Sequence, residues 1–163
     1  MNSRRMHLWK LDHWKKSLPA GHRTGLRFRF DCEVDSEVKT ACLRFAQWLR
    51  KEYVFPVRVP VYVKSAERIR TMDGDSVVGS FFEPDDTAQE PYIRLATGDY
   101  ADLADLHGRD NALAAILSSL AHELTHYYQW INVLPLTDRG RERQASIYAR
   151  RILDEYAETR EHP

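Results

Sequence analysis

Residues 121–126 read Ala-His-Glu-Leu-Thr-His, and their spacing is the strongest chemical signal in this chain. Four residues make slightly more than one helical turn, so His122 and His126 project from the same face of a helix. Two imidazoles placed in this way can both reach one tetrahedral Zn²⁺. Glu123 lies about 100° further around the helix, where its carboxylate can face water at the metal without being a ligand. The motif therefore predicts two metal ligands, His122 and His126, and a general base, Glu123.

The residues before the motif predict that it lies in a largely buried helix. Asp110 is expected to be the N-cap, and apolar residues then recur at helical spacing: Leu113, Ile116, Leu117, Leu120 and Leu124. Polar side chains on a buried helix need partners. This setting favours a metal site over a surface helix that happens to carry two histidines.

A catalytic zinc site needs a third protein ligand while one position stays open. Pro135 lies in the loop that ends the motif helix, and Thr137 or Asp138 is expected to cap a second helix. Glu142 lies one turn inside that helix, near the small residue Ala145, which would let the two helices approach closely. We predict Glu142 as the third ligand, with an ordinary solvated glutamate as the alternative. The other downstream candidates are Asp138, Asp154, Glu155, Glu158 and His162.

The motif and the residues that follow it resemble the gluzincin metallopeptidases. His122-Glu123-Leu124-Thr125-His126 is followed, sixteen residues after the second histidine, by Glu142-Arg143-Gln144-Ala145. In gluzincins the third ligand is the glutamate of an E-x-x-A or E-x-x-x-D stretch on the next helix. The short spacing and small size are closest to minimal gluzincins and to ImmA/IrrE-like and SprT-like proteins. Thr125 stands where ImmA/IrrE proteins commonly have glycine, and Gln144-Ala145-Ser146 where they commonly have Glu-Ala-Asn.

Composition and charge indicate one globular domain without the overall positive charge that would attract a polyanion. The chain has 163 residues, of which 43% are hydrophobic and 29% charged, and its net charge is zero. Zero net charge makes nucleic acid and anionic membrane surfaces unexpected partners. We find no run long enough to span a membrane and no hydrophobic signal core. Cys32 and Cys42 do not form a disulfide framework, so we predict a cytoplasmic protein with reduced thiols.

Residues 1–23 differ from the rest of the chain and are interpreted as a basic N-terminal arm on a domain of residues 24–163. Only Asp12 opposes six cationic side chains: Arg4, Arg5, Lys10, Lys15, Lys16 and Arg23. Trp9 and Trp14 make the arm more than a solvated tail. We predict that its tryptophans dock on the domain, with Pro19-Ala20-Gly21 as a hinge. The alternatives are an inhibitory or removable pro-segment and an arm that binds nucleic acid.

Periodicity elsewhere predicts an α+β fold. Alternating apolar residues predict strands at 26–30, 57–63 and 91–96, and Asp73-Gly74-Asp75 predicts a hairpin. Asp35 or Ser36 should begin a helix, and Pro60 suggests an edge strand or a bulge. The order of elements predicts a small, mixed, twisted sheet packed against the motif helix and the helix of Glu142. The resemblance implies the same zincin-like layout.

The resemblance also implies a strand along the rim of the cleft that pairs antiparallel with the substrate backbone. Here that strand is Val77-Val78-Gly79-Ser80-Phe81. An exposed strand edge can hold an extended peptide by strand addition. Gly79 fits either a bulge or a close approach of the substrate backbone. Tyr148, Tyr156 and His107 are candidate donors to a tetrahedral oxyanion.

These residues together predict a zinc metallopeptidase that hydrolyses peptide or protein with Glu123 as general base. The alternative is a gluzincin-like domain that binds or regulates with weak or no hydrolysis. A purely structural zinc is disfavoured because three plausible ligands are present and no cysteine joins them.

Overall fold

Ten regular elements surround the motif in the computed structural model, which describes residues 6–18 and 20–163. In chain order they are β1 (Leu26–Phe30), α1 (Ser36–Glu52), β2 (Val59–Lys64), β3 (Ile69–Arg70), β4 (Ser76–Val77), β5 (Gly79–Phe82), β6 (Tyr92–Ala96), α2 (Tyr100–His107), α3 (Arg109–Ile131) and α4 (Asp138–Ala157). Two short 3₁₀ helices, Leu8–Lys10 and His13–Lys16, precede them. No helix of the described residues combines the length and the apolar character needed to cross a membrane.

The predicted α+β class with a small mixed sheet is confirmed. The main sheet has the order β1-β2-β6-β5, in which β1, β2 and β6 run parallel and β5 runs antiparallel to β6. Strands β3 and β4 form the predicted hairpin, with Ile69 opposite Val77. Gly74 turns the hairpin with a φ of 85°, a left-handed conformation that glycine adopts without steric cost.

The interpretation of Pro60 as a sign of an edge strand is wrong, because β2 lies between β1 and β6. The odd-numbered residues of β2 bond to the β1 side: Val59 N donates to Gly25 O, and Val63 O accepts from Asp31 N. Pro60 therefore turns its nitrogen towards β6, whose pairing with β2 begins only at Val61. Since no ladder bond is needed there, proline is tolerated inside a central strand.

One face of the sheet is buried under α1 and α3. Five inward-facing side chains have no exposed surface: Val59, Val61, Val63, Ile93 and Leu95. Helix α1 begins where expected, since the Asp35 carboxylate accepts from Glu37 N at 2.8 Å. Its buried stripe includes Phe45 and Leu49. Each such side chain contributes roughly 1.5–3 kcal/mol when removed from water, so this face fixes the height of α3 above the sheet.

Helix α3 starts earlier than the sequence predicts. Gly108, with a φ of 89°, separates α2 from α3 and is the N-cap, so Asp110 is not the cap but lies in the first turn. The Asp110 carboxylate lies 2.7 Å from His162 Nδ1, which ties the C-terminal residues to the start of this helix. Helix α2 was not predicted from the sequence.

The N-terminal segment packs on α3, as the docked interpretation expects. Leu8 and Trp9 are each only 2% exposed and belong to the main core. The Trp9 indole stacks on Tyr128 with ring centroids 4.9 Å apart, and its Nε1 donates to Thr125 Oγ1 at 3.2 Å. Arg4, Arg5 and the hinge residue Pro19 lie outside the described residues. The contact with Thr125 places the arm directly behind the motif.

Candidate metal centre

Helix α3 places the two histidines of the motif one turn apart on the face that points to α4. Their ring centroids are 5.0 Å apart. His122 Nε2 lies 3.0 Å from Glu142 Oε2, and His126 Nε2 lies 3.0 Å from Glu142 Oε1. All three sequence-predicted ligands are therefore brought together, with one donor atom from each within 4.8 Å of the others.

Helix α4 reaches this position because its start and its inner face are well defined. Thr137 is the N-cap, as one of the two predicted choices, and its Oγ1 accepts from Gly140 N at 3.0 Å. Ala145 and Ala149 are buried on the inner face, so small side chains let α4 lie close to α3. Glu142, one turn after the cap, then points across to both imidazoles.

Gln129 fixes the orientation and tautomer of His126. The Gln129 amide nitrogen donates to Arg141 O at 3.0 Å and to Gln144 Oε1 at 2.9 Å, so the amide oxygen must face His126. That oxygen lies 2.8 Å from His126 Nδ1, which therefore carries the hydrogen. In a neutral ring the other nitrogen, Nε2, is then a bare lone pair aimed at the site.

The neutral ring leaves one contact of the cluster unsatisfied. Burial lowers the pKa of His126, although the hydrogen bond that Nδ1 donates to Gln129 and the charge of Glu142 oppose this shift. With Nδ1 as the donor, Nε2 and Glu142 Oε1 face each other at 3.0 Å, lone pair to lone pair. A cation between the two atoms converts this repulsion into two favourable contacts.

The donor set fits a divalent metal ion. Ligand atoms about 2.0–2.1 Å from a tetrahedral Zn²⁺ lie roughly 3.3 Å from one another, close to the distances between Glu142 and the two histidines. Two imidazole nitrogens and one carboxylate also suit other first-row metals. Only Glu142 of the three is strongly exposed, with 64% of its side chain accessible. The cluster is therefore open to solvent on the α4 side, where a water or a substrate can reach it.

Glu123 lies beside the cluster and is almost enclosed, with 8% of its surface exposed. Burial, and secondarily the negative charge of Glu142, raise the pKa of Glu123 to about 8. Without a cation this carboxyl group therefore holds a proton at neutral pH. A bound cation would lower that pKa and free the carboxylate to accept a proton.

Gly79 explains how Glu123 fits against β5. A Cβ at residue 79 would lie 3.1 Å from Glu123 Cγ and 3.3 Å from its Oε1. The glycine therefore makes room for a side chain of the protein itself, which is a third explanation beside the two that the sequence allows. The predicted strand 77–81 is divided into β4 and β5, with Val78 between them. The Val78 carbonyl still accepts from Ala96 N of β6.

The cluster opens into a cavity of about 530 Å³ between α3, α4 and the edge of the sheet. Four of the five predicted substrate-binding residues line it: Val77, Gly79, Ser80 and Phe81. Val78 lines an adjoining cavity of about 310 Å³, together with Gly79, His122 and Glu123. Because β5 is the last strand in the sheet order, no strand of the described residues pairs with its outer edge in the main sheet.

The three predicted oxyanion donors lie outside both cavities. The Tyr148 hydroxyl accepts from Leu8 N at 3.0 Å, beneath the N-terminal segment. Tyr156 is buried against Phe45 and Trp48. His107 ends α2, where its carbonyl accepts from Asn111.

The other downstream ligand candidates also lie away from the cluster, except one. Glu155 accepts from the Tyr53 hydroxyl at 2.7 Å, and His162 pairs with Asp110. Asp138 lines the 530 Å³ cavity but does not join the three donors.

Two residues at the site were not identified from the sequence. Gln129 follows His126 by three residues, so the i, i+3 spacing was the available signal. Arg141 precedes Glu142 and, among the described residues, is the one lysine or arginine that lines the cavity. Its guanidinium also pairs with Glu83 at 2.9 Å. Nothing in the sequence distinguishes Arg141 from the neighbouring arginines of α4, because its direction depends on the rotation of that helix.

No protein-family model, curated protein or solved structure matches this chain. The likeness to gluzincins therefore rests on the residues and their arrangement.

Proposed function

We propose that this protein is a zinc-dependent metallopeptidase with a zincin-like arrangement, in which His122, His126 and Glu142 hold the metal. The observation that carries the proposal is the contact between His126 Nε2 and Glu142 Oε1. Gln129 assigns the hydrogen to Nδ1 of this buried ring, so two acceptor atoms face each other. Burial lowers the pKa of His126 and so favours the neutral ring, in which this contact is repulsive, and a metal ion between the two atoms satisfies it.

The substrate in this proposal is an extended peptide or protein segment that adds to the free edge of β5. The backbone groups of 79–82 that point away from β6 can pair with such a segment, and pairing of this kind requires no particular side chain. The cavities on either side of Gly79 receive the side chains that flank the scissile bond. This edge is the reason to prefer a peptide over a small amide as substrate.

The residues of the chain then divide the work of hydrolysis. His122, His126 and Glu142 would hold the Zn²⁺, which when bound would supply a Lewis acid for the carbonyl group and for the attacking water near neutral pH. The Glu123 carboxylate accepts the proton of the attacking water and later delivers it to the leaving nitrogen. Enclosure beside Gly79 keeps this carboxylate directed at the cleft. Arg141 lines the cavity and can stabilise the developing oxyanion, whereas Tyr148, Tyr156 and His107 do not line it.

The decisive experiment is Glu123→Gln, which removes the proton acceptor and preserves the shape of the side chain. Zinc bound per chain should stay near one, while hydrolysis of unstructured peptides falls by about a hundredfold or more. His126→Ala should lose both metal and activity, which makes it the matched control. Metal content is measured on protein purified without added metal.

Two outcomes would contradict the proposal. Equal peptide hydrolysis by wild type and Glu123→Gln would assign the cleavage to a contaminant. A zinc-loaded wild type that cleaves no member of a broad peptide panel would favour the binding or regulatory module.

A further inference from the structure

The face of the sheet that points away from α1 and α3 is partly open to solvent. Side chains alternate along each strand, so residues of the opposite parity to the core valines project from this outer face. Arg27 and Arg29 on β1 are exposed, Tyr62 on β2 is 36% exposed, and Phe82 on β5 is 40% exposed. An antiparallel or mixed sheet that leaves aromatic side chains on its uncovered face presents a surface suited to a partner.

The outer face is strongly cationic although the chain as a whole is neutral. The four strands of the main sheet contain four basic residues and no aspartate or glutamate: Arg27, Arg29, Lys64 and Arg94. Among the described residues, Arg27 and Arg29 contact no acidic partner. Two acids that flank the strands are paired with cations, Asp31 with Lys64 at 3.7 Å and Glu90 with Arg23 at 2.8 Å. Phosphate groups would therefore meet unneutralised guanidinium groups on this face.

Aromatic rings alternate with these cations across the strands. Arg29 pairs in register with Tyr62, and Tyr62 pairs with Arg94, so a cation, a ring and a cation follow one another across β1, β2 and β6. The adjacent row ends in Tyr92 and Phe82, whose rings stack with centroids 4.8 Å apart. Lys64 Nζ lies 5.7 Å from the Tyr62 ring centroid.

We propose that this outer face binds single-stranded DNA, with the arginines on its phosphates and the exposed rings stacking on its bases. A positively charged surface with aromatic platforms is the combination that single strands require, because every base has a face to stack and every link carries a charge. The rings also distinguish the partner from a duplex, whose bases are already stacked. None of the side chains on the four strands is a carboxylate or an amide, so contacts to a 2′-hydroxyl group would fall to the hydroxyl groups of Tyr62, Ser80 and Tyr92, and we take DNA rather than RNA as the partner.

Zero net charge does not oppose binding of DNA here, because binding depends on the charge of the outer face rather than on the net charge of the whole chain. The acids that cancel the basic residues lie on helices and loops, as in α2 and the loop with Asp85 and Asp86. The fold therefore places basic residues on the outer face and acidic residues elsewhere, although their numbers cancel over the whole chain. The outer face also lies opposite the helices that carry His122, Glu123 and Glu142, so this binding does not depend on the proposed peptidase activity.

The test is fluorescence anisotropy of the full chain with labelled oligo(dT) of about 12 nucleotides, at about 50 to 200 mM salt. Arg27→Glu combined with Arg29→Glu should weaken binding at least about tenfold and reduce the slope of log affinity against log salt by roughly 1.4. Tyr62→Ala should cost about fivefold or more, and Tyr62→Phe, which keeps the ring, should restore most of the affinity.

The matched control reverses the charge of two arginines outside the sheet, Arg139 and Arg150 of α4, which are also exposed. Arg139→Glu combined with Arg150→Glu should leave the affinity unchanged, and circular dichroism should show both double variants folded. The proposal is overturned if wild type does not bind oligo(dT) at about 50 mM salt, or if the control variant loses as much affinity. Equal binding of duplex DNA would remove the stacking role. Tighter binding of oligo(U), or equal competition by polyglutamate of the same charge, would replace DNA with RNA or an acidic protein.

Discussion

Gly79 and Glu123 are coupled at the scale of single residues. Because a Cβ on residue 79 would lie 3.1 Å from Glu123 Cγ, Gly79→Ala must displace the carboxylate or the strand by a few tenths of an ångström. The three atoms nearest to such a Cβ all belong to Glu123, the proposed general base. The strand and this side chain therefore leave each other little room.

Gly79→Ala is expected to lower kcat for peptide hydrolysis by about tenfold or more, because misplacing a reacting group by a fraction of an ångström is costly. Zinc affinity should remain unchanged. Steady-state kinetics and metal titration measure the two effects, and Ser76→Ala on exposed β4 is the control. Unchanged kcat in Gly79→Ala would show that Glu123 relaxes without consequence.

Gln129 is the residue on which the donor geometry of His126 depends. Gln129→Leu removes the acceptor of the Nδ1–H group and the bridge to α4, so zinc affinity should fall by about 10- to 100-fold. Competition with a chromogenic chelator measures it. Gln47→Leu, at an exposed position of α1, is the control for the loss of a surface amide. An unchanged affinity would mean that Glu142 and packing alone orient the imidazole.

At the scale of elements, the N-terminal segment supports α3 from behind the metal centre. The Trp9 ring packs against Tyr53, which caps the end of α1, and against Tyr128 of α3. Its indole nitrogen donates to Thr125, which lies between the two histidines in sequence. The Thr125 hydroxyl in turn donates to Ala121 O at 2.8 Å. Leu8 and Trp9 are therefore part of the core, and the described part of the arm cannot be removed without exposing apolar surface.

Trp9→Ala should lower the free energy of unfolding by about 3–5 kcal/mol, since a fully buried indole is lost. Trp9→Phe should cost less, and about 1 kcal/mol of its effect should come from the hydrogen bond to Thr125. Urea unfolding measures both. Trp14→Phe is the control, because the half-buried Trp14 indole donates only to Leu11 O within the arm. Equal stability of the Trp9→Ala and Trp14→Phe variants would contradict the buried position of Trp9.

At the scale of the whole molecule, metal binding should be linked to stability. The three donors converge only in the folded chain, so zinc at about 100 times its dissociation constant should add roughly 2.7 kcal/mol to the free energy of unfolding. The thermal midpoint should rise with zinc and fall again when a chelator is added. His126→Ala should show no such rise. A midpoint that does not respond to any divalent metal would contradict the metal centre.

Stability should also be linked to pH through His7. Burial, and next the charge of Arg151, lower the pKa of His7 from 6.5 to about 4, while Glu155 opposes the shift. The neutral ring is also required by geometry, since its Nδ1 accepts from Trp9 N at 3.1 Å. The fold therefore favours the unprotonated form. Stability from this group is fully present above pH 6.5 and is lost as the pH falls towards about 4.

His7→Asn keeps an acceptor for Trp9 N but cannot take up the proton, so the loss of stability between pH 6.5 and about 4 should become shallower. Thermal unfolding across this range measures the change. His22→Asn serves as the comparison for loss of another histidine, and an identical acid profile in His7→Asn and wild type would contradict the role of His7.

The sequence by itself determined the features whose physics is local. Helical spacing placed His122 and His126 on one face, and capping chemistry allowed Thr137 and Asp35 as helix starts. Alternation predicted β1, β2 and β6 of the main sheet, and Asp73-Gly74-Asp75 predicted the hairpin. These features follow from backbone geometry over a few residues, so one chain suffices to predict them.

Only the tertiary structure decided which distant residues meet. That Glu142 lies 3.0 Å from both histidines depends on how closely α3 and α4 pack, and the place of Gln129 and Arg141 depends on the rotation of each helix. The central position of β2, despite Pro60, depends on where the pairing of β6 begins. The cationic outer face depends on which side of the sheet the helices cover. Each outcome is set by long-range packing, in which a shift of one residue redirects every side chain, and no local pattern contains that information.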